Sequence, residues 1–220
     1  LPIVDQSIAS LAAVETDTTF TFDITAQMQP DSEAESMELD LTEVYAIDMM
    51  LQVVKAVCNT TIAYNFDFVS FDGAGIEAEL TRGSDFATLN SSGAQDLSNA
   101  YTAMTTAINK LEQGIDFLEN ETDNQSNDII PNTELSSSDF VEIRDGIEIA
   151  QNAISEPTWV NIDCWDNDVS PPDSGRSTLG CDSVQVDIKQ FFTEPIDDFK
   201  EMIPPYSVSA DTSHDWNYID

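Results

Sequence analysis

The stretch SGAQDLSNAYTAMTTAINKLEQGIDFLEN, residues 92–120, sets the fold class. Leu97, Tyr101, Met104, Ile108, Leu111, Ile115 and Leu118 recur in it at steps of three and four. That spacing lines side chains along one face of an α-helix and makes a seam for a second helix. Ser92 with Gln95 fits a capping box at its start. Asn, Thr and Glu fill the opposite face, as solvent requires.

Working outward, Phe140, Ile143, Ile147, Ala150 and Ile154 repeat the seam in a helix that opens at Asp139 and Glu142. A polar loop joins the two, which predicts an antiparallel helical hairpin. Upstream, a helix starting near Asp40 or Thr42 and ending near Tyr64 carries the stripe Val44, Ile47, Leu51, Val54, Cys58 and Ile62. Tyr45, Met49, Met50, Val53 and Val57 make much of its remainder apolar, which predicts a central helix. Residues 1–14 read as a short helix with Leu1, Val4, Ile8 and Leu11 on one face. Residues 18–25 alternate Phe20, Phe22 and Ile24 with polar neighbours, a half-buried strand. Residues 29–40 read as a loop, and 65–92 as irregular with a short strand near Ala78–Leu80.

After Pro157 the period changes to two. Val160 and Ile162 are answered by Val184, Val186 and Ile188, a β-hairpin over 158–190. Thr193-Glu194-Pro195 reads as the cap of a last helix reaching Ile203. The fold class is therefore mainly α, built from antiparallel helical hairpins with a small β-hairpin, at the margin of α+β. Residues 1–206 form a single domain and 207–220 a tail or linker.

Charge constrains the partners. Forty-two acids face seven bases, a net charge of −35. Such a field repels nucleic acid and attracts cations and basic surfaces. Its self-repulsion calls for screening by salt or for divalent ions held by carboxylates. At 41% apolar residues the chain still has enough to bury a core. The richest apolar stretch, 44–58, is interrupted by Asp48, Gln52 and Lys55, well short of the ~18 residues a membrane span needs. Leu1-Pro2 begins no signal peptide, so the chain reads as a mature or trimmed product.

Cys164 and Cys181 flank the hairpin's polar tip, and a disulfide there would contribute about 3 kcal/mol by loop closure. Cys58 reads as a buried free thiol on an apolar helix face. Oxidised cysteines point to an extracellular or cell-surface location. Asn59, Asn90, Asn120 and Asn124 each begin a glycosylation sequon.

Two loops have the crowded Asp and Asn oxygens that Ca²⁺ takes from flexible segments. One is 121–128, with Asp123, Asn124, Asn127 and Asp128. The other spans Asp163 to Asp173, with Asp163, Asp166, Asn167, Asp168 and Asp173 as candidate ligands. Neither has the EF-hand glycine and terminal glutamate. Trp165, beside these acids, is a candidate sugar-stacking ring. His214, the sole histidine, lies in a Ser213-His214-Asp215 run with no packed base and nucleophile around it. With no phosphate loop, dinucleotide fingerprint or HExxH, the chain reads as non-enzymatic.

The helical pair resembles those of tetratricopeptide-like proteins, although no repeat of about 34 residues recurs. Phe20-Thr21-Phe22, Leu39-Asp40-Leu41-Thr42-Glu43, Ala63-Tyr64-Asn65-Phe66-Asp67 and Glu121-Thr122-Asp123-Asn124-Gln125-Ser126 resemble uncharacterised secreted bacterial surface proteins of lipoprotein type. The resemblance covers roughly residues 1–206 and implies a surface location, with no activity attached. The expectation is thus an extracellular surface or assembly protein, such as a filament, sheath or surface-layer subunit, whose partners are cations and further copies of itself. A glycan- or peptide-binding protein is the alternative, and a hydrolase with a hidden carboxylate pair the third reading.

Overall fold

A computed structural model describes residues 1–30, 35–66, 87–122, 127–161 and 183–198. The mainly helical class is as expected. Five α-helices occur among the described residues: α1 (Pro2–Val14), α2 (Leu41–Ala63), α3 (Gly93–Asn120), α4 (Ser137–Ser155) and α5 (Ile188–Thr193). Six strands pair antiparallel in twos: β1 (Phe22–Ile24) with β2 (Met37–Leu39), β3 (Tyr64–Phe66) with β4 (Ala87–Leu89), and β5 (Thr158–Asn161) with β6 (Ser183–Val186). No helix among these residues is long and apolar enough to cross a membrane.

Local chemistry explains where the helices begin. Asp40 accepts from the Thr42 backbone N–H at 2.5 Å, while Glu43 reaches back to the Asp40 N–H at 2.9 Å. This reciprocal capping satisfies donors that the first turn of α2 leaves open. Ser136 and Asp139 repeat the arrangement at α4. At α3 the expected box with Gln95 does not form. Ser92 itself sits in a helical conformation, and its hydroxyl donates to Asp96 at 2.8 Å.

The dominant packing is α2 against α3. A Cβ on Gly93 would meet the Ala63 carbonyl and, at 2.6 Å, Leu89 Cδ1; one on Gly114 would lie 3.2 Å from Tyr45 Cβ. The start of α3 therefore meets the end of α2 and the reverse, so the pair is antiparallel. Small residues set the approach. Ala100, Ala103, Ala107 and Gly114 are buried along α3 with Leu97 and Leu118. The seam through Tyr101, Met104, Ile108 and Ile115 is only half-buried. It turns partly to α4 and α5, where Tyr101 donates to the Ile154 carbonyl at 3.1 Å and meets the Phe192 ring. α4 buries the expected Phe140, Ile147 and Ile154, but its contact with α3 is much shorter than that of α2.

The expected face of α2 is reversed. Of the stripe Val44, Ile47, Leu51, Val54, Cys58 and Ile62, only Val44 is fully buried, while Ile47, Val54 and Ile62 are exposed. The buried face instead holds Leu41, Val44, Asp48, Gln52, Asn59 and Ala63. Of its polar members, Asp48 is held both from its own helix and from across the interface. Asp48 accepts from Gln52 at 3.1 Å and pairs with Lys110 of α3 at 3.3 Å. Lys110 also binds Glu15, just past α1. α1 has no buried residue of its own and is held on α2 by Asp5–Lys55 at 2.6 Å.

Three further sequence expectations are corrected. Residues 37–39 within the expected loop pair with β1, Phe22 opposite Leu39. Ile188 opens a helix instead of continuing the strand, because the Asp187 side chain caps it through the Gln190 N–H at 2.8 Å. That helix ends at Thr193; of the last helix expected from the Thr193-Glu194-Pro195 cap to Ile203, residues 195–198 are not helical, and 199–203 lie outside the described residues. The β-hairpin forms, with Thr158 opposite Val186 and Val160 opposite Val184. Its tip, the strand expected near Ala78–Leu80 and the tail 207–220 lie outside the described residues. Ala63, Tyr64, Leu97, Ala100 and Phe192 form a core cluster against Phe191, Leu89 and Met104.

Candidate metal centre

Three segments bring carboxylates to one place. Asp40 stands at the N-terminus of α2, Glu121 is the residue that ends α3, and Asp128 lies in the loop between α3 and α4. One carboxylate oxygen from each lies within 4.8 Å of the other two. Asp40 is only 3% exposed, and Glu121 and Asp128 are half-buried.

Side-chain to backbone bonds fix this convergence. Glu43 accepts from the Ile130 N–H at 2.8 Å with the oxygen not engaged at Asp40, and so ties the loop to α2. The Glu38 N–H donates to the Asn127 carbonyl at 2.7 Å, and the Asn127 amide returns a bond to Glu38 at 2.8 Å. Asn132 donates to the carbonyls of Leu118 and Glu121 at 2.9 and 3.2 Å, which holds the loop on the end of α3.

Burial pushes the Glu43 carboxyl up to about 7, and the Asp40 charge adds to the rise against the pull of the backbone N–H. The amino end of α2 favours negative charge, whereas the carbonyl end of α3 disfavours it beside Glu121. Carboxylates this close repel one another, and a cation among them offsets that repulsion.

Of the expected ligands, Asp128 joins this cluster. Asn127 serves as a tether through Glu38. Asp123 and Asn124 lie outside the described residues, as do Asp163, Cys164, Trp165, Asp166, Asn167, Asp168, Asp173 and Cys181. The sequence reading missed Asp40 and did not single out Glu121 from its acidic run. Proximity across the chain carries no local signal, although the Asp40-to-Glu43 capping pattern marks where the helix would point its first turn. Asn59 is 4% exposed within α2, so a glycan has no room there. Asn90 and Asn120 are exposed. Cys58 is a free thiol and half-buried.

No family model, curated protein or solved structure matches this chain. Function is therefore argued from the site. Next to Glu121, a groove of about 540 Å³ runs between the start of α2 and the end of α3, lined among others by Tyr45, Gln113, Phe117, Asn120 and Thr122.

Proposed function

We propose that this chain is a non-catalytic, extracellular surface or assembly module whose acidic exterior is tuned to cations, with Ca²⁺ held at Asp40, Glu121 and Asp128. The observation that carries the reading is the meeting of three carboxylates within 4.8 Å in a chain of net charge −35. Ca²⁺ takes six to eight oxygens from carboxylates, carbonyls and water in loosely specified geometry. A helix N-cap, a helix end and a loop can supply such a set. A cation there ties α2, α3 and the α3–α4 loop together and offsets charge that would otherwise oppose folding. The surface location draws support from the composition and from the resemblance to secreted surface proteins.

Calcium titration followed by melting temperature tests this. Binding to the folded state alone contributes about 2.7 kcal/mol at a hundredfold excess over Kd, a rise of several degrees. Asp128→Asn and Glu121→Gln should remove it. A parent melting temperature indifferent to saturating calcium sinks the metal reading.

A second reading has its own support, the groove beside the site. Tyr45 and Phe117 offer ring faces and Gln113 and Asn120 offer amides, the combination that stacks on and hydrogen-bonds to a sugar or an extended peptide. Binding to a glycan array that disappears with Tyr45→Ala and Phe117→Ala would favour it.

A further inference from the structure

Of the four longer helices among the described residues, α1 is the one with no fully buried residue. Val4, Ile8, Leu11 and Val14, its inner face, are half-buried, and Ile3 is 80% exposed. Two ion pairs supply its polar links to the body among the described residues. Asp5 holds Lys55 of α2 at 2.6 Å, and Glu15, just past the helix, holds Lys110 of α3. α1 therefore runs along α2 from Lys55 back toward Asp48, which the same Lys110 contacts.

The second anchor is poorly matched. The Glu15 side chain is 10% exposed, and its Oε1 is buried with no hydrogen-bond partner. A buried acceptor left unsatisfied costs free energy that water would restore. Asp48, by contrast, has Lys110 and Gln52 as partners that do not depend on Glu15.

We infer that α1 with Glu15 is a strap that opens as a unit, hinged at residues 16–21, while α2, α3 and α4 stay packed. β1 fixes the chain again at Phe22, opposite Leu39. Opening gives up half-buried apolar contacts, one exposed ion pair and one pair with an unsatisfied oxygen. It removes nothing from the core cluster around Leu97 and Tyr64. Once released, a helix of 13 residues is marginal in water by itself, so the open strap is unfolded chain. Segments of this kind open at free energies well below that of global unfolding.

The strap also governs a charge. Lys55 lines a cavity of about 230 Å³ between α2 and α3, with Gln52, Asn99, Thr102 and Thr106. Closed, α1 neutralises that ammonium through Asp5; open, it leaves the ammonium free at the cavity. The inference goes beyond the calcium and assembly readings and depends on neither.

Hydrogen exchange of the intact chain at several low urea concentrations, read by mass spectrometry, tests it. With intrinsic rates divided out, α1 amides should exchange at least about a hundredfold faster than those of α3. Low urea should leave α1 rates unchanged and accelerate those of α3. Asp5→Asn and Lys55→Met, both at surface anchors, should each quicken α1 exchange about threefold with α3 unaffected. The charge exchange Asp5→Lys with Lys55→Asp should bring it back toward the parent. If α1 matches α3 in rate and urea dependence, it opens only with the whole fold and the proposal is overturned. α1 amides exchanging at their intrinsic rates overturn it too, since no closed strap then exists. So does α1 exchange that neither charge removal alters, because Asp5 and Lys55 would not be holding the strap.

Discussion

Lys110 Nζ of α3 lies 3.3 Å from the Asp48 carboxylate of α2, and Asp48 is 1% exposed. The same ammonium holds Glu15 beyond α1, so one cation joins three elements. Burial pushes the Glu15 carboxyl up, and Lys110 pulls it only part of the way back. For Lys110 burial acts downward, yet Glu15 and Asp48 outweigh it and raise its pKa.

Removing that cation leaves two acids buried together. Breaking a buried pair by deleting one partner costs about 3–5 kcal/mol, so Lys110→Met should lower stability by that order in urea denaturation. Arg144, which bridges Asp116 and Glu119 at 2.5 Å each on an exposed face, is the contrast. Arg144→Ala should cost less than about 1 kcal/mol and lose even that at high salt. Equal costs would mean that the Lys110 cluster is solvated.

Gly93 sets how closely α3 starts against the end of α2. An added methyl there would overlap the Ala63 carbonyl and Leu89, and backbone cannot rotate out of the way. Gly93→Ala should cost about 1–3 kcal/mol through overpacking, despite the better helix propensity of alanine. Gly146→Ala, where a Cβ meets nothing within 4 Å, should be stabilising by about 0.5–1 kcal/mol. Denaturant midpoints of the two variants should move in opposite directions.

Glu43 makes stability depend on pH. Its carboxyl is raised from the ordinary 4.5 to about 7 in the folded protein, so the folded state binds the extra proton between those values. Its contribution is fully present below about pH 4.5 and is lost as pH rises through about 7, on the order of 2–3 kcal/mol. The stability difference between the parent and Glu43→Gln should therefore change across that window in the direction that favours the parent at acid pH. A difference that stays constant from pH 4 to pH 8 would show that Glu43 titrates normally.

Net charge predicts a response to salt. Raising ionic strength from 10 mM to 1 M shortens the screening length from ~30 Å to ~3 Å. Forty-two acids against seven bases should then repel less, and the melting temperature should climb by many degrees. A flat melting curve over that range would mean that the acids are already neutralised within the fold.

Helix positions were legible in the residues because their determinants are local. Periodicity, the Asp40 start and the proline at 157 act over a few residues, and α2, α3 and α4 lie close to where these signals put them. The buried seam of α4 was legible too, since Phe140, Ile147 and Ile154 leave one apolar side to choose. α2 gave no such choice. Apolar on several sides, it could have turned any of them inward, and hydrophobic pattern alone favours Ile47 and Val54. What turned them out was Lys110, which lies on another helix and can satisfy Asp48 only if that face is the buried one, and the alanines and glycines of α3, which admit α2 closely on that side. The acidic centre follows the same logic. Asp128 was visible in its loop, but its meeting with Asp40 and Glu121 depends on α2 and α3 packing antiparallel, so that the start of one lies beside the end of the other. Capping and periodicity are written in neighbouring residues, whereas burial of a face and convergence of charges arise only when distant segments compete for the same space.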